Sequence, residues 1–256
     1  MVYIWDLDPV AISLLGFDIR WYGLAYLAGF FLVEFLGWWG YKNFHPKPTL
    51  DKEAFSQLVF GGFIAGVLGG RLGSFLFYSP STFWNNPLEI LQVWHGGMSI
   101  HGGILAVTLY GLWHHYFRKI NWLSIADIIS LPLALGLFLG RIANFINGEL
   151  YGRPTDQTWG VVFPHVDDLL RHPSQLYEAG KNIFLAGIIL YVLRKGMAKY
   201  PGRVFGLFLA GYGILRFGIE YVREPNFYIG PLTMGQVLCT FMVGIGMLLF
   251  FTAKKS

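Results

Sequence analysis

The sequence predicts an all-α integral membrane protein with seven transmembrane helices. Hydrophobic residues make up 54% of the chain and charged residues only 13%, whereas soluble globular chains carry about 25% charged residues. In addition, windows of ~20 mostly apolar residues, the length that crosses ~30 Å of hydrocarbon, recur along the chain. The predicted spans are residues 21–41, 56–78, 98–117, 125–145, 177–194, 204–222 and 232–253.

The positions of lysine and arginine orient these spans. Of the 19 basic residues, eleven lie in one set of connecting segments and four in the alternate set, and short cytoplasmic loops retain positive charge. We therefore expect the N-terminus outside and the C-terminus in the cytoplasm. The net charge of +4 follows from this topology. It does not predict a nucleic-acid partner, which would need a basic patch facing solvent.

The connections indicate one polytopic domain over residues 1–256, since no segment is long enough to act as a linker. The longest connection, residues 146–176, is expected outside and forms a small extracytoplasmic loop region. A loop of this length in a compact protein is usually functional or disordered. The N-terminus lacks the basic region of a signal peptide and is expected to stay attached. Cys239 is the single cysteine and is expected to be a small core residue.

Polar side chains collect at the predicted outer ends of six spans. Charged groups are costly in hydrocarbon and indicate a partner or a substrate. The cytoplasmic ends carry ordinary basic loops without a comparable cluster. The outer set comprises Tyr22, Arg71, Tyr78, His101, Arg141, Asn144, Glu178, Lys181, Asn182, Arg216, Glu220 and Arg223.

Two groups in this set have informative spacing. Arg141 and Asn144 share a helix face at i and i+3, and a guanidinium beside an amide suits a phosphodiester. The alternative for Arg141 is a snorkelling anchor or an internal ion pair. Arg216, Glu220 and Arg223 fit an ion-pair ladder along one helix face. In that ladder Glu220 is expected to orient its neighbours, and Arg223 to be the ligand.

His101 begins the third span, where an imidazole could accept a proton. The alternative is a packed histidine with a structural role. No pair of histidines in the sequence has the spacing of a zinc site, so we predict no metal.

Residues 140–152 read GRIANFINGELYG and resemble the signature of the prolipoprotein diacylglyceryl transferase family. Five further blocks are similar to that family's blocks in the same order, and together with a thirteen-residue signature they are more specific than a short motif. The blocks are RWYG (20–23), GGRLG (69–73), GGMSIHGG (96–103), RHPSQLYE (171–178) and REP (223–225).

This resemblance implies transfer of the diacylglyceryl group of phosphatidylglycerol to the lipobox cysteine of a prolipoprotein signal peptide, without a cofactor. It implies a bacterial cell membrane enzyme whose active site faces the outer leaflet. The family's histidine falls on His101 and its two key arginines on Arg141 and Arg223. Its substrate-binding residues fall on Tyr22, Asn144 and Gly152, and we add Asn147 and Glu149 from the same signature. The loop between Gly152 and Arg171 is shorter than in some members.

A thiol nucleophile with a pKa of about 8.5 needs a base or a cationic environment. We hypothesise that His101 accepts its proton, that Arg141 with Asn144 binds the lipid phosphate, and that Arg223 stabilises the developing charge. A transporter is the alternative, but it would need polar groups reaching both sides or inverted repeats. An intramembrane protease would need a nucleophile–base pair, and Ser99 and His101 are only two residues apart on a helix.

Overall fold

The computed structural model describes residues 3–14, 16–78, 80, 86, 89, 97–225 and 227–255, apart from the side chains of 77 and 78. The side chain of Tyr78, predicted to join the outer polar set, therefore lies outside the described part. The described residues form seven α-helices, and each overlaps one predicted span. They are α1 (Trp21–Phe44), α2 (Lys52–Tyr78), α3 (Ile100–Phe117), α4 (Trp122–Ile146), α5 (Ser174–Arg194), α6 (Arg203–Ile219) and α7 (Met234–Thr252).

Within the described residues, five helices are long and apolar enough to cross a membrane, namely α1, α2, α4, α5 and α7. The other two, α3 and α6, have 18 and 17 residues, at the lower limit of ~17–25 residues for a spanning helix. The chain is thus a mostly helical, multi-pass membrane protein. That all seven helices cross, and with which orientation, stays a prediction.

Short strands supplement the helices and were not predicted. Except for the strand at residues 232–233, which lies at the start of the seventh predicted span, they lie outside the apolar spans, and with two to five residues each they are too short for a periodic pattern to mark a strand. The strands are β1 (Tyr3–Ile4), β2 (Val10–Leu14), β3 (Phe17–Arg20), β4 (Val161–Val162), β5 (Leu170–Arg171), β6 (Tyr228–Ile229) and β7 (Leu232–Thr233). One sheet has the order β1-β4-β5, with β1 parallel to β4 and β4 antiparallel to β5, and two hairpins join β2 to β3 and β6 to β7.

The chain divides into two compact units, one of Met1–Pro48 with Leu123–Ser256 and one of Thr49–Trp122. In the first unit the N-terminal segment packs on the long connection after α4. The Trp5 indole Nε1 donates to the carbonyl of Phe145 at 2.8 Å, and its ring lies 4.9 Å from that of His165. The long connection therefore has a partner strand and a packed aromatic face, which distinguishes it from a disordered loop.

Helices α4, α6 and α7 of the first unit are joined by a buried carboxylate and by glycine contacts. Asp127 of α4 is fully buried and accepts hydrogen bonds from the backbone N–H groups of Gly202 (2.8 Å) and Phe205 (2.7 Å), so it caps the start of α6 from another helix. A Cβ at Gly246 of α7 would lie 2.6 Å from the Gly206 carbonyl oxygen. Cys239 of α7 is 3% exposed, which confirms it as a core residue.

The described residues of the second unit include a tight pair of helices, α2 and α3. A Cβ on Gly102 would clash with the carbonyl oxygen of Gly69, and one on Gly73 would lie 2.7 Å from the Cα of Gly102, so the two backbones touch as small residues permit in lipid. Arg71 of α2 is 3% exposed and donates to the carbonyl of Gly97 at 3.2 Å. It therefore fixes the chain that enters α3 and carries His101.

We expect Gly102→Ala to destabilise the second unit by about 1–3 kcal/mol, because the new methyl group meets backbone that cannot rotate away. Gly187→Ala on α5 is the matched control, since nothing lies within 4 Å of its Cβ position and alanine favours helix. Thermal unfolding in detergent measures both. An equal melting temperature for the two variants would contradict the close contact.

Candidate active site

The signature segment begins as the last two turns of α4 and then reverses. Gly148 (φ +66°) and Leu150 (φ +58°) adopt left-handed backbone, which glycine adopts without strain. A Cβ at Gly148 would lie 2.6 Å from the His165 ring. Because α4 continues to Ile146, Arg141 and Asn144 lie on one face, and the guanidinium donates to the Asn144 Oδ1 at 3.4 Å. The predicted shared face is therefore confirmed.

Glu149 folds back onto the end of α4. Its Oε1 accepts from the amides of Asn144 at 2.8 Å and Asn147 at 3.4 Å, and its backbone N–H donates to the Asn144 carbonyl at 3.0 Å. Its own carbonyl accepts from Gln175 Nε2 at 2.7 Å, so α5 holds the turn. Glu149 thus orients the Asn144 amide, with the oxygen toward Arg141 and the nitrogen toward itself.

The centre of the site is Glu178 of α5, whose side chain is fully buried. Its carboxylate forms ion pairs with basic side chains on helices α4, α5 and α6 and on the segment after α6. Its role was missed because sequence spacing does not reveal pairs between different helices. Its partners are Arg141 at 3.7 Å, Lys181 at 3.0 Å, Arg216 at 2.9 Å and Arg223 at 3.6 Å.

A second carboxylate, Glu220, lies at the end of α6. It pairs with Arg216 at 2.6 Å and with Arg223 at 3.9 Å, so the ladder predicted from their spacing is confirmed. The hydroxyl of Thr233 donates to it at 3.0 Å. A Cβ at Gly235 would collide with this carboxylate, and glycine there leaves it room.

The positive and negative charges of the ion-paired side chains do not cancel. Four cations, Arg141, Lys181, Arg216 and Arg223, face the two carboxylates, so two positive charges are in excess. Burial, helped by Arg216, lowers the pKa of Arg223 to about 10, and its guanidinium stays protonated at neutral pH. Buried charge is unfavourable unless it is paired. The cluster is therefore suited to an anionic ligand.

Gly152 brings the loop against the backbone of Arg223. The two residues form an antiparallel bridge, and Arg153 donates from its N–H to the Val222 carbonyl (2.9 Å) and from its Nε to the Arg223 carbonyl (2.8 Å). A Cβ on Gly152 would lie 2.5 Å from the Val222 oxygen and 2.7 Å from His172. Gly152 contributes by this close approach, which fixes the position of the Arg223 backbone.

Arg171 locks the same loop and was not among the predicted site residues, although it lies in a family block. Its guanidinium donates to Asp167, to Glu224 at 3.1 Å and to the Gly152 carbonyl at 3.1 Å, and it stacks over Tyr151 at 5.0 Å. The Arg171 guanidinium lowers the pKa of Asp167. These contacts link the strand β5 to both Gly152 and the segment that carries Arg223.

The remaining predicted residues are Tyr22 and His101. Tyr22 lies in the first turn of α1 with its hydroxyl 3.3 Å from that of Tyr26, and it interacts electrostatically with Arg141 and Glu149. His101 belongs to the second unit, where it is exposed in the first turn of α3 after the cap residue Ser99. The first unit thus brings together Tyr22, Arg141, Asn144, Asn147, Glu149, Gly152 and Arg223.

Comparisons with known proteins cover almost the whole chain. A family model described as prolipoprotein diacylglyceryl transferase matches residues 9–252. A phosphatidylglycerol–prolipoprotein diacylglyceryl transferase of Photobacterium profundum is 44% identical over 98% of this chain and 94% of its own length. The proteins of the same name from Nitrosomonas europaea and Rhodospirillum rubrum are 44% and 41% identical, over 97% and 98% of this chain and 90% and 93% of theirs.

We expect Glu178→Gln to lower the melting temperature in detergent by about 10 °C. Breaking a buried ion pair from one side costs about 3–5 kcal/mol, because the other charges stay buried without compensation. Adding Lys181→Met to that variant should recover part of the loss by removing one of those cations. Glu224→Gln is the control, since its carboxylate is 52% exposed and exposed pairs contribute little. Equal melting of the Glu178→Gln and Glu224→Gln variants would contradict the central role of Glu178.

The contact between Asp167 and Arg171 should depend on pH. The folded-state pKa of Asp167 is lowered, so its contribution is complete above the ordinary carboxyl pKa of about 3.9 and is lost as the pH falls through the lower folded value. Hydrogen exchange of residues 161–171, corrected for intrinsic rates, should show weaker protection at pH 3 than at pH 7. Asp167→Asn should show the weaker protection at both, whereas Asp156→Asn should behave as the wild type. Identical pH dependence in the Asp167→Asn variant would exclude this contact as the cause.

Proposed function

The chain belongs to the prolipoprotein diacylglyceryl transferase family, and from this premise we propose how its buried cations perform the reaction. The enzyme transfers the diacylglyceryl group of phosphatidylglycerol to prolipoproteins, the first step of lipoprotein maturation. The family match over residues 9–252 confirms the resemblance read from the signature at residues 140–152.

The acceptor in this proposal is the thiol of the lipobox cysteine in the prolipoprotein signal peptide. Its sulfur bonds to the terminal glycerol carbon of the diacylglyceryl group as the bond from that carbon to the phosphate oxygen breaks. A thioether forms, glycerol 1-phosphate leaves with the bonding electrons, and the thiol proton passes to a base. The oxidation state of the sulfur is that of the thiol throughout, so the two substrates and a base account for every atom.

The proposed setting is the outer leaflet of the bacterial plasma membrane. The support is the charge distribution of the connecting segments, with eleven basic residues in one set and four in the other. This asymmetry favours an outer location for the loop of residues 146–176 and for Arg223. A headgroup phosphate of the outer leaflet would then lie at the level of the arginines.

The excess of two positive charges in the ion-paired cluster is the observation that carries the proposal. The phosphodiester of phosphatidylglycerol has one negative charge, whereas a departing phosphate monoester carries about −1.5 to −2 at neutral pH. The cluster therefore complements the leaving group better than the bound substrate. Interactions that strengthen toward the transition state are those that accelerate a reaction.

The roles proposed for individual residues rest on the family resemblance and, within the first unit, on the contacts of each side chain. Arg141, with its guanidinium beside the Asn144 amide, binds the lipid phosphate, and Arg223 stabilises the charge that develops on it. His101 accepts the thiol proton. Tyr22, Asn147, Glu149 and Gly152 shape the substrate side of the site, with Glu149 orienting Asn144 and Gly152 holding the backbone of Arg223.

The test is reconstitution of the full chain in vesicles with phosphatidylglycerol and a lipobox peptide, followed by mass analysis of the peptide. We expect a thiol-linked diacylglyceryl adduct. Arg141→Gln should reduce turnover by about 10²–10³-fold, because the variant loses a positive charge that holds the phosphate while its negative charge grows. Arg118→Gln, an exposed arginine at the end of α3, is the matched control for total charge and should retain wild-type turnover.

Three results would change the proposal. Cleavage of the peptide, or absence of an adduct, would reject the transferase reaction for this chain. Equal turnover of the Arg141→Gln and Arg118→Gln variants would remove the arginine cluster from the chemistry. If His101→Gln retained near-wild-type turnover and the same pH–rate profile while Arg141→Gln did not, the base would have to be another group.

A further inference from the structure

An open groove of about 620 Å³ lies on the first unit beside the end of α6. Its floor consists of Leu215, Gly218, Ile219 and Val222. This volume is typical of sites for small molecules, which occupy about 300–1,000 Å³. The groove is lined almost wholly by apolar atoms and is separate from the ion-paired side chains.

The wall of the groove consists of three rings whose polar atoms bond to one another. The Trp159 indole donates to the Tyr177 hydroxyl at 2.8 Å, and the His172 Nδ1 lies 3.2 Å from the same oxygen. The rings thus present apolar faces to the groove. Aromatic residues with one apolar and one polar side are typical of the level where lipid chains meet headgroups.

The backbone around the groove is also satisfied. The His172 N–H donates to the Arg153 carbonyl at 3.0 Å and its carbonyl accepts from Gly152 at 2.9 Å. The Val222 N–H donates to the carbonyl of Ile219 at 3.0 Å and its carbonyl accepts from Arg153 at 2.9 Å. A peptide segment lying here would bury N–H and C=O groups without partners, at a cost of several kcal/mol. A hydrocarbon chain has no such groups.

Three residues of the groove directly precede members of the charged cluster in the sequence. Tyr177 precedes Glu178, Leu215 precedes Arg216, and Val222 precedes Arg223. Consecutive helical residues point about 100° apart, so the Tyr177–Glu178 pair on α5 and the Leu215–Arg216 pair on α6 present the cluster on one face and the groove on the adjacent face at the same level. Val222 and Arg223 follow the end of α6 and continue this arrangement along the chain. One lipid can therefore place its phosphate at the cluster and a chain in the groove.

We propose that this groove binds an acyl chain of the phosphatidylglycerol substrate. The inference rests on the proposed function, because it takes the lipid headgroup to lie at the arginine cluster. The groove thus holds the lipid while the bond to its phosphate breaks. It is a binding site for hydrocarbon and takes no part in proton transfer.

Gly218 provides the test because it is exposed, and nothing lies within 4 Å of its Cβ position. Gly218→Leu should fill the groove without displacing its walls. We expect KM for dioleoyl phosphatidylglycerol to rise about tenfold, which corresponds to losing the burial of roughly two methylene groups. The values of kcat and of the melting temperature should stay at those of the wild type. KM for a short-chain phosphatidylglycerol should stay at the wild-type value. Gly187→Leu, an open glycine on α5, is the matched control.

Photolabelling identifies the occupant directly. Phosphatidylglycerol with a diazirine near the end of one acyl chain should label residues 215–222 of the wild-type protein, and this labelling should be lost in the Gly218→Leu variant. Equal KM values for the Gly218→Leu and Gly187→Leu variants, or a rise that is the same for both chain lengths, would overturn the proposal. Labelling of residues 215–222 by a photoreactive lipobox peptide instead of the lipid would assign the groove to the acceptor.

The outcomes separate this inference from the proposed function. Failure of the wild-type protein to form the adduct would reject the transferase reaction. Normal adduct formation with unchanged chain-length dependence in the Gly218→Leu variant would reject the groove alone.

Discussion

The rest of the site depends on the ion pairs of Glu178. It is a fully buried carboxylate within 4 Å of one lysine and three arginines. Those cations belong to α4, α5, α6 and the segment after α6. Without a shared anion they would repel one another in a region of low dielectric constant, and their helices could not pack at this level. One carboxylate thus allows four cations to converge.

The same arrangement leaves the cations oriented but not neutralised. Glu220 adds a second negative charge at Arg216 and Arg223, and two positive charges are still in excess. A fully balanced cluster would be more stable and would have less attraction for a phosphate. Preorganised charge of this kind stabilises a transition state without reorganising during the reaction. The unbalanced charge lowers the stability of the folded protein, as is common where stability and activity compete.

Much of the fold and part of the candidate site could be predicted, because the strongest signals in the sequence are local. Apolar runs predicted the position of the seven described α-helices, and spacings of three and four residues placed Arg141 beside Asn144 and aligned Arg216, Glu220 and Arg223. Such spacings specify a helix face but not the partner across it. The pairing of Glu178 with Arg141, the parallel pairing of β1 with β4 and the groove at Gly218 depend on segments distant in sequence. For the same reason, Arg171 was recognised only as part of a family block.

The early end of α6 explains how the charges and the groove coexist. With 17 residues, the helix is at the lower limit for crossing a bilayer, and it stops at Ile219. Had the helix continued, the backbone of Val222 and Arg223 would be engaged within it. Instead that backbone is free to pair with Gly152 and Arg153, which fixes Arg223 beside Glu178. The same break leaves Gly218 and Val222 as part of the floor of the groove, so one helix end shapes both the proposed headgroup site and the proposed acyl-chain site.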